Sequence, residues 1–242
     1  MWLASPSRLG YQPEMDDLFA DRAIRQQTLD AERIEGLLGT RQTLIDCEIE
    51  DLDLSRLDLS GWAFEQCSLR RVDLNRATLE GTRWQGCKAA FADFSGADMG
   101  DAVFVASDFN NASFKRSTLE GARFERCRLT GADLSEVKAV NLALEETLLV
   151  SAKLTGRSFR KATLRRVDLS QADLRNCDFR QALFEECSLR EAMLDGARFD
   201  GADLRGADLG GVRLEDASRF RGATISREQA GQVLSELGLR VV

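Results

Sequence analysis

The sequence lacks the side chains on which most catalytic and metal sites depend. It contains no histidine, and its single tyrosine is Tyr11. A general base that titrates near neutral pH, a Ser-His or Cys-His pair and a zinc site with imidazole ligands are therefore excluded. A pair of carboxylates is the one acid–base arrangement that remains. We expect a protein that is not an enzyme and that uses no cofactor, metal ion or small-molecule substrate.

Proline and long apolar runs are also scarce. The two prolines are Pro6 and Pro13, so from Glu14 onward the backbone can form hydrogen bonds without interruption. No apolar run approaches the roughly 18 residues of a membrane span, and no long apolar stretch follows a basic start at the N-terminus. We therefore expect a cytoplasmic protein that does not bind a membrane. The formal net charge of -7 argues against direct nucleic-acid binding and favours a basic protein partner.

Apolar residues recur at every fifth position. From Leu44 to Leu214, each step of five reaches an apolar residue, most often Leu or Phe, without a change of phase. The position two residues before each centre is mostly small, and Asp often lies between the two, where it suits the turns of a repeat. A period of five fits neither a strand, which alternates every two residues, nor a helix, which repeats every 3.6. It indicates a fold whose sides are five residues long.

This pattern resembles that of the pentapeptide-repeat family over residues 44–214. The resemblance implies an all-β fold, a right-handed quadrilateral parallel β-helix in which each repeat forms one side and four sides form one coil. The central Leu or Phe and the small residue two positions earlier both point inward, where they fill a narrow cross-section. About nine coils, stacked at roughly 4.8 Å, would make a solenoid about 40 Å long.

The six cysteines test this phase independently, because all of them fall at the small inward position. Five of the six are separated by multiples of 20 residues and so share one column: Cys47, Cys67, Cys87, Cys127 and Cys187. Parallel thiols do not converge on a metal ion as the ligands of a tetrahedral zinc site do. We interpret the cysteines as small hydrophobic residues rather than as a metal or redox site.

The N-terminal end departs from the regular repeat. Phe19, Ile24, Leu29 and Ile34 keep the five-residue period, which argues against an amphipathic helix, but the small inward positions hold charged or polar residues. We predict an irregular first coil that starts near Phe19. Residues 1–18 are predicted to be a tail or a cap.

The C-terminal end changes from the repeat to a helix. The phase first shifts by one residue, to Phe220, so the β-helix is predicted over residues 19–225. Residues 226–242 predict a short α-helix and a tail, with Ser226 as the N-cap and Gln229 completing a capping box.

The apolar stripe of this helix has two interpretations. An open β-helix end exposes unpaired backbone, so the helix can plug the last coil. Related gyrase-protecting proteins dimerise through their C-terminal ends, and this resemblance implies a homodimer contact. The stripe consists of Ala230, Val233, Leu234 and Leu237.

Outward charges are unevenly distributed along one side of the predicted solenoid. In its first half, on the side of Leu59, Leu79, Met99 and Leu119, the outward charges are all acidic: Asp58, Glu80, Asp98, Asp101 and Glu120. In its second half the same side is mainly basic, with Lys138, Arg160, Lys161, Arg180 and Arg198. Ordinary solvated charge and a partner-binding acidic face are both open interpretations.

A second candidate surface is apolar. Five large apolar side chains are predicted to point outward on adjacent sides of the middle coils, and exposed apolar clusters often mark contacts. They are Phe91, Val103, Val105, Leu148 and Val150.

Three functions are consistent with the sequence. The family resemblance implies a DNA mimic that binds a bacterial type II topoisomerase, DNA gyrase or topoisomerase IV, and protects it from an antibiotic or a toxin. The alternatives are a scaffold or regulatory interaction module with another protein partner, and a secreted bacterial effector. Relatives with strong quinolone activity often carry loops that interrupt the coil. Because the period here is uninterrupted, the resemblance favours topoisomerase binding over quinolone resistance.

Overall fold

The computed structural model describes residues 23–211, 217–236 and 238–240, which form a four-sided parallel β-helix. Neither of the two α-helices in these residues is long and apolar enough to cross a membrane. The predictions for residues 1–18, Phe19, Leu214 and Leu237 lie outside the described residues. The elements are β1 (Ile24–Arg25), α1 (Ala31–Glu35), β2 (Thr43–Ile45), β3 (Ala63–Glu65), β4 (Arg83–Gln85), β5 (Val103–Val105), β6 (Arg123–Glu125), β7 (Ala143–Glu145), β8 (Thr163–Arg165), β9 (Leu183–Glu185), β10 (Cys187–Ser188), β11 (Ala207–Asp208), a 3₁₀ helix (Ala217–Phe220) and α2 (Arg227–Glu236).

One side of the β-helix is a nine-stranded parallel sheet, in the order β1 to β9. Each strand pairs with the strand of the next coil at an offset of 20 residues, as in Leu44 opposite Phe64. The other sides are joined mainly by isolated parallel bridges at the same offset, such as Asp53 to Asp73, and by the pair β10 and β11. Four repeats of five residues therefore make one coil, as the period predicts.

The core contains the side chains that the five-residue phase predicts. Among the described residues, every fifth residue from Leu44 to Leu209 is buried except Ala139, which is half-buried. Aromatic centres of successive coils stack, and the ring centroids of Phe104 and Phe124 are 4.4 Å apart. Such pairs add about 0.5–1.5 kcal/mol to the free energy of area burial. The stacked rings therefore hold neighbouring coils together along the solenoid.

Most corners are formed by a residue with left-handed backbone, two positions after a centre. Arg76 has φ 57° and Gly156 has φ 74°. For residues other than glycine this region costs about 1–2 kcal/mol, so glycine is the unstrained choice. Gly206 is required for another reason, since an added Cβ would lie 2.5 Å from the carbonyl oxygen of Phe184.

Aspartates that precede the centres hold the turns. Asp93 Oδ1 accepts the backbone N–H of Ser95 at 2.8 Å, and Asp133 Oδ1 accepts that of Ser135 at 2.9 Å. A carboxylate that accepts the N–H two residues later stabilises a turn. The structural role predicted for the repeated aspartates is confirmed.

The N-terminal end contains a helix where we expected none. Ile24 pairs with Leu44, and Leu29 is buried, so the first coil follows the predicted phase. Ala31–Glu35 nevertheless form α1, whose N-cap Asp30 accepts a backbone N–H at 2.8 Å. The expectation of no helix is wrong because a single helical turn also brings one apolar side chain, Ile34, into the core.

The C-terminal end confirms the predicted shift of phase. Phe220 stacks on Phe199 with ring centroids 4.9 Å apart, at an offset one residue greater than 20. Ser226 and Gln229 form the predicted capping box, with hydrogen bonds of 2.6 and 3.1 Å.

The helix α2 closes the last coil through one polar side chain. The Gln229 amide Nε2 donates to the carbonyl oxygens of Leu204 and Ala207, both at 2.6 Å. The Leu204 carbonyl also accepts the backbone N–H of Ala207 at 2.9 Å, whereas carbonyls equivalent to that of Ala207 accept an N–H of the next coil, as that of Val167 does from Ser188. Gln229 therefore takes the place of a donor from a further coil.

The stack of coils is interrupted on one side. Lys138 pairs with Thr118 of the preceding coil, whereas no bridge among the described residues joins Lys138 to Ser158 of the following coil. The ladder resumes where Ser158 pairs with Asp178. An uninterrupted sequence period therefore does not produce an uninterrupted hydrogen-bonded ladder.

Arg157 accounts for this interruption. It occupies a small inward position, and its guanidinium donates to the carbonyl oxygens of Val137 and, at 3.2 Å, of Ala139. Burial lowers the pKa of Arg157, because the cation is partly removed from water. The guanidinium thus takes the carbonyl of Val137, which by the pattern of Lys138 and Ser117 would accept the N–H of Ser158 in the next coil.

Candidate interaction surfaces

Five acidic side chains lie together on one side of the β-helix. All five are exposed, and parallel bridges place Asp58 and Asp98 in one column through Thr78. The backbone N–H of Asp101 donates to the carbonyl of Glu120 at 2.8 Å, so these two residues lie on adjacent coils. We call the set the acidic half-face: Asp58, Glu80, Asp98, Asp101 and Glu120.

The acidic half-face carries charge that no neighbouring base neutralises directly. None of its five carboxylates forms an ion pair within the part of the chain that the structure describes. The Ser60 hydroxyl and backbone N–H donate to Asp58 at 2.5 and 3.0 Å and lower the pKa of Asp58, which is therefore ionised at neutral pH. These carboxylates are available to a positively charged partner.

Two arginines border the acidic half-face, although the outward charges of this side from Asp58 to Glu120 are all acidic. Arg41 and Arg83 line a shallow cleft of about 410 Å³ together with Glu80 and Asp101. Arg83 belongs to β4 on the adjoining side, and Arg41 lies at the corner beside Gly61, where an added Cβ would be 2.8 Å from the Arg41 Nε. A partner at this edge would meet both signs of charge.

The second half of the same side carries the predicted excess of bases. Arg180 donates to Asp178 at 2.6 Å and lowers the pKa of that carboxyl, and Arg198 lies 3.3 Å from Asp200. The remaining three bases are exposed and form no ion pair within the described residues. We call the set the basic half-face: Lys138, Arg160, Lys161, Arg180 and Arg198.

The structure does not bring the predicted apolar residues into one patch. Phe91 is 55% exposed at a corner and Leu148 is 41% exposed, whereas Val103, Val105 and Val150 are half-buried. The two valines of β5 lie two coils before Leu148, roughly 10 Å at the spacing of stacked strands. The five residues thus form two pairs, Val103 with Val105 and Leu148 with Val150, and the separate Phe91, rather than one continuous surface.

The apolar stripe of α2 is divided between two environments. Val233 is buried and Ala230 is half-buried, whereas Leu234 and Leu239 are exposed. Leu237 lies outside the described residues. The buried part of the stripe fits the predicted plug over the last coil. The exposed part is free for a dimer contact, which stays a prediction.

The cysteine column consists of buried thiols. All six cysteines are free, and the Sγ atoms of Cys67 and Cys87 donate to backbone carbonyls at 3.3 and 3.2 Å. Burial raises the pKa of Cys67 to about 11 and that of Cys87 to about 12. In the same column Ser107 and Thr147 donate to carbonyls at 2.9 and 2.8 Å. Apart from Val167, which has no donor, the column from Cys47 to Cys187 therefore holds small side chains with one donor each. No group of described side chains is arranged to hold a metal ion.

Comparisons with known proteins agree with this architecture. The family model for pentapeptide repeats matches eight copies, over residues 67–104, 107–141, 144–181 and 182–218. A search of curated proteins found no significant match. A trypsin-treated variant of QnrB1, a plasmid-mediated fluoroquinolone resistance protein, superposes with a TM-score of 0.59 at 18% identity, covering 91% of this chain and 98% of that chain. Full-length QnrB1 superposes with a TM-score of 0.50 at 21% identity, covering 90% and 97%. These structures share the fold, and because the family model covers more than half of the chain, the protein belongs to the pentapeptide-repeat family.

Proposed function

We propose that the protein is a non-enzymatic binding protein whose acidic half-face contacts the DNA-binding surface of a bacterial type II topoisomerase, DNA gyrase or topoisomerase IV. The observation that carries the proposal is the row of five exposed carboxylates without ion pairs in the described part of the chain. The fold shared with a fluoroquinolone resistance protein supports the choice of partner.

The geometry of the acidic half-face suits a surface that normally binds DNA. Coils stacked at roughly 4.8 Å repeat negative charge along the axis of the solenoid. Duplex DNA carries one phosphate charge per roughly 1.7 Å of its axis, so the carboxylate array is sparser but has the same sign. A basic groove would attract it over a distance set by the Debye length, about 8 Å at physiological ionic strength.

The expected consequence is competition with DNA. A topoisomerase occupied by the acidic half-face cannot hold DNA in the same groove, so supercoiling is inhibited and a poison that stabilises the cleaved complex loses its target. Purified gyrase with the protein, in the presence and absence of such a poison, tests both effects in one supercoiling and cleavage assay.

The informative variant replaces the five acids with their amides, Asp by Asn and Glu by Gln. The amides keep the size of the side chains, and Asn retains the oxygen that accepts the N–H of Ser60. A matched control amidates five exposed or half-exposed acids that are already in ion pairs: Asp51, Glu136, Glu146, Glu185 and Asp208. Both variants lose five negative charges from -7, which leaves -2.

We expect the wild type and the control variant to inhibit supercoiling and to reduce poison-induced cleavage, and the amide variant of the acidic half-face to do neither. No effect of the wild type would contradict the topoisomerase proposal and leave an interaction module for another partner. An equal effect of all three proteins would keep the partner and move the contact to another surface.

A further inference from the structure

The two half-faces of opposite charge lie on one side of the same β-helix. We propose that two copies of the chain associate side by side and antiparallel through this side, with the acidic half-face of each copy against the basic half-face of the other.

The columns of this side place the opposite charges at equivalent positions. Parallel bridges run from Asp58 through Asp98 to Lys138. Beyond the interruption the same column continues with Asp178, which is paired with Arg180, and with Arg198. Asp101 and Lys161 lie at the same corner of their coils, three coils apart, and both have left-handed backbone, with φ of 55° and 61°. The sign of the charge therefore changes along the axis but not across the width of the side.

Symmetry then selects the antiparallel arrangement. A two-fold axis that lies in the interface and crosses the solenoid at right angles reverses the direction along the axis and keeps the position across the width. It brings the acidic half-face of one copy onto the basic half-face of the other, twice. A parallel arrangement would place like charges together, which costs free energy.

The charges that remain unpaired within one chain have opposite signs on the two half-faces, three bases on one and five acids on the other. Three bases of the basic half-face have no ion pair among the described residues. In the antiparallel dimer they face the acidic half-face of the other copy, whose five acids also have no ion pair. A second copy supplies counter-charges to both sets without the loss of any ion pair already present. The unpaired bases are Lys138, Arg160 and Lys161.

The size of the side limits the strength of this association. A side of three extended residues is about 10 Å wide and eight coils are about 40 Å long, so each copy would bury roughly 400 Å². Interfaces below about 1,200 Å² in total belong to weak, transient complexes. Association therefore depends on charge, is favoured at high protein concentration and weakens as salt is added.

The proposed dimer is independent of the topoisomerase proposal, but it uses the same acidic half-face. A chain paired with a second copy has its carboxylates covered, so self-association would reduce the concentration of chains that can bind another basic partner. At high concentration the protein would then be mostly dimeric and unable to bind another basic partner through the acidic half-face.

Charge reversal with mixing provides the test, because it does not depend on the register of the two copies. One variant carries Glu80→Lys, Asp101→Lys and Glu120→Lys, and the other carries Lys138→Glu, Arg160→Glu and Lys161→Glu. All six side chains are exposed. Sedimentation velocity over a range of protein and salt concentrations is measured for the wild type, for each variant and for their equimolar mixture. A control with Asp51→Lys, Glu136→Lys and Glu185→Lys has the same change of net charge as the first variant.

We expect the wild type and the control to form dimers at low salt that dissociate as salt rises. Each reversed variant should be monomeric alone, because its two half-faces have the same sign, and the mixture should form a heterodimer. A monomeric wild type at low salt, or a mixture that stays monomeric, would overturn the proposal. A dimer that persists in both variants and at high salt would also overturn it and place the contact elsewhere, for example at the exposed Leu234 and Leu239.

Discussion

Replacing Phe109 by Asp tests the inward phase of the repeat most severely. Phe109 is fully buried, and its ring lies 5.2 Å from that of Phe104, 5.8 Å from those of Phe94 and Phe114, and 6.1 Å from that of Trp84. A carboxylate at this position would be surrounded by aromatic rings and would have no partner.

Two contributions to the loss of stability can be separated. Removing the ring and its contacts costs about 3–5 kcal/mol, as for other buried phenylalanines truncated to a small side chain. The buried carboxyl must also stay protonated, which raises its folded-state pKa above the unfolded value near 3.9. At pH 7 this adds up to about 4 kcal/mol, since each pH unit corresponds to about 1.4 kcal/mol. The sum is comparable with the whole stability of a typical domain, about 5–15 kcal/mol.

The matched control is Phe109→Asn, which has the same size and no charge. We expect the Asp variant to be as stable as the Asn variant below about pH 4 and to lose stability relative to it as pH rises through the folded-state pKa. Urea unfolding followed by circular dichroism between pH 4 and pH 7 measures this difference. Equal stability of the two variants at pH 7 would show that position 109 reaches water, and the inward phase would be refuted.

Three further predictions follow from individual contacts. Gly156→Ala should lower the unfolding free energy by about 1 kcal/mol through its left-handed backbone alone, since nothing lies within 4 Å of the added Cβ. Gly100→Ala, where the backbone is not left-handed, should leave the unfolding free energy nearly unchanged, and urea unfolding measures both variants. The thiol of Cys87, whose pKa is raised to about 12, should react with a bulky maleimide only after urea unfolds the protein, and rapid labelling of the native protein would contradict its burial. Gln229→Ala should destabilise the last coil by about 1–3 kcal/mol and increase amide hydrogen exchange near Leu204, whereas Gln232→Ala, at an exposed position of the same helix, should leave exchange unchanged.

Much of the fold could be predicted from the sequence because a five-residue period has few structural solutions. Once four sides close a coil, the positions of Leu44 and Phe64 opposite each other, and the burial of Cys87, follow from counting in steps of five and 20. The short helix α1 could not be predicted in this way, because one apolar residue, Ile34, satisfies both a helical turn and the repeat.

The interruption beside Lys138 illustrates what periodicity misses. The apolar centres continue through it without a shift, but Arg157 at an inward position and Ala139 at a centre together change which groups bond to the carbonyls. Both exceptions are visible in the sequence. Their combined effect depends on how far a guanidinium reaches between two coils, and this distance cannot be predicted by counting residues.

The charged surface was predictable to the extent that residues 20 apart share a column. This rule placed Asp58 and Asp98 together, and it placed the basic half-face further along the same side. The same count places Arg41 in the column of Asp101, three coils earlier. It did not reveal Arg83 at the border, because the long side chain of Arg83 belongs to β4 on the adjoining side. Nor did it predict that Phe91 and the other apolar residues stand apart, since contact across coils and corners depends on distances along the axis.

Direct binding to purified gyrase tests the proposed function most sharply. The dissociation constants of the wild type, the amide variant of the acidic half-face and the charge-matched control are measured by titration at several salt concentrations, with and without competing duplex DNA. We expect the wild type and the control to bind with an affinity that falls as salt rises and to be displaced by DNA, and the amide variant to bind at least tenfold more weakly. Equal affinity of the three proteins, or binding of the wild type that DNA does not displace, would contradict the role of the acidic half-face.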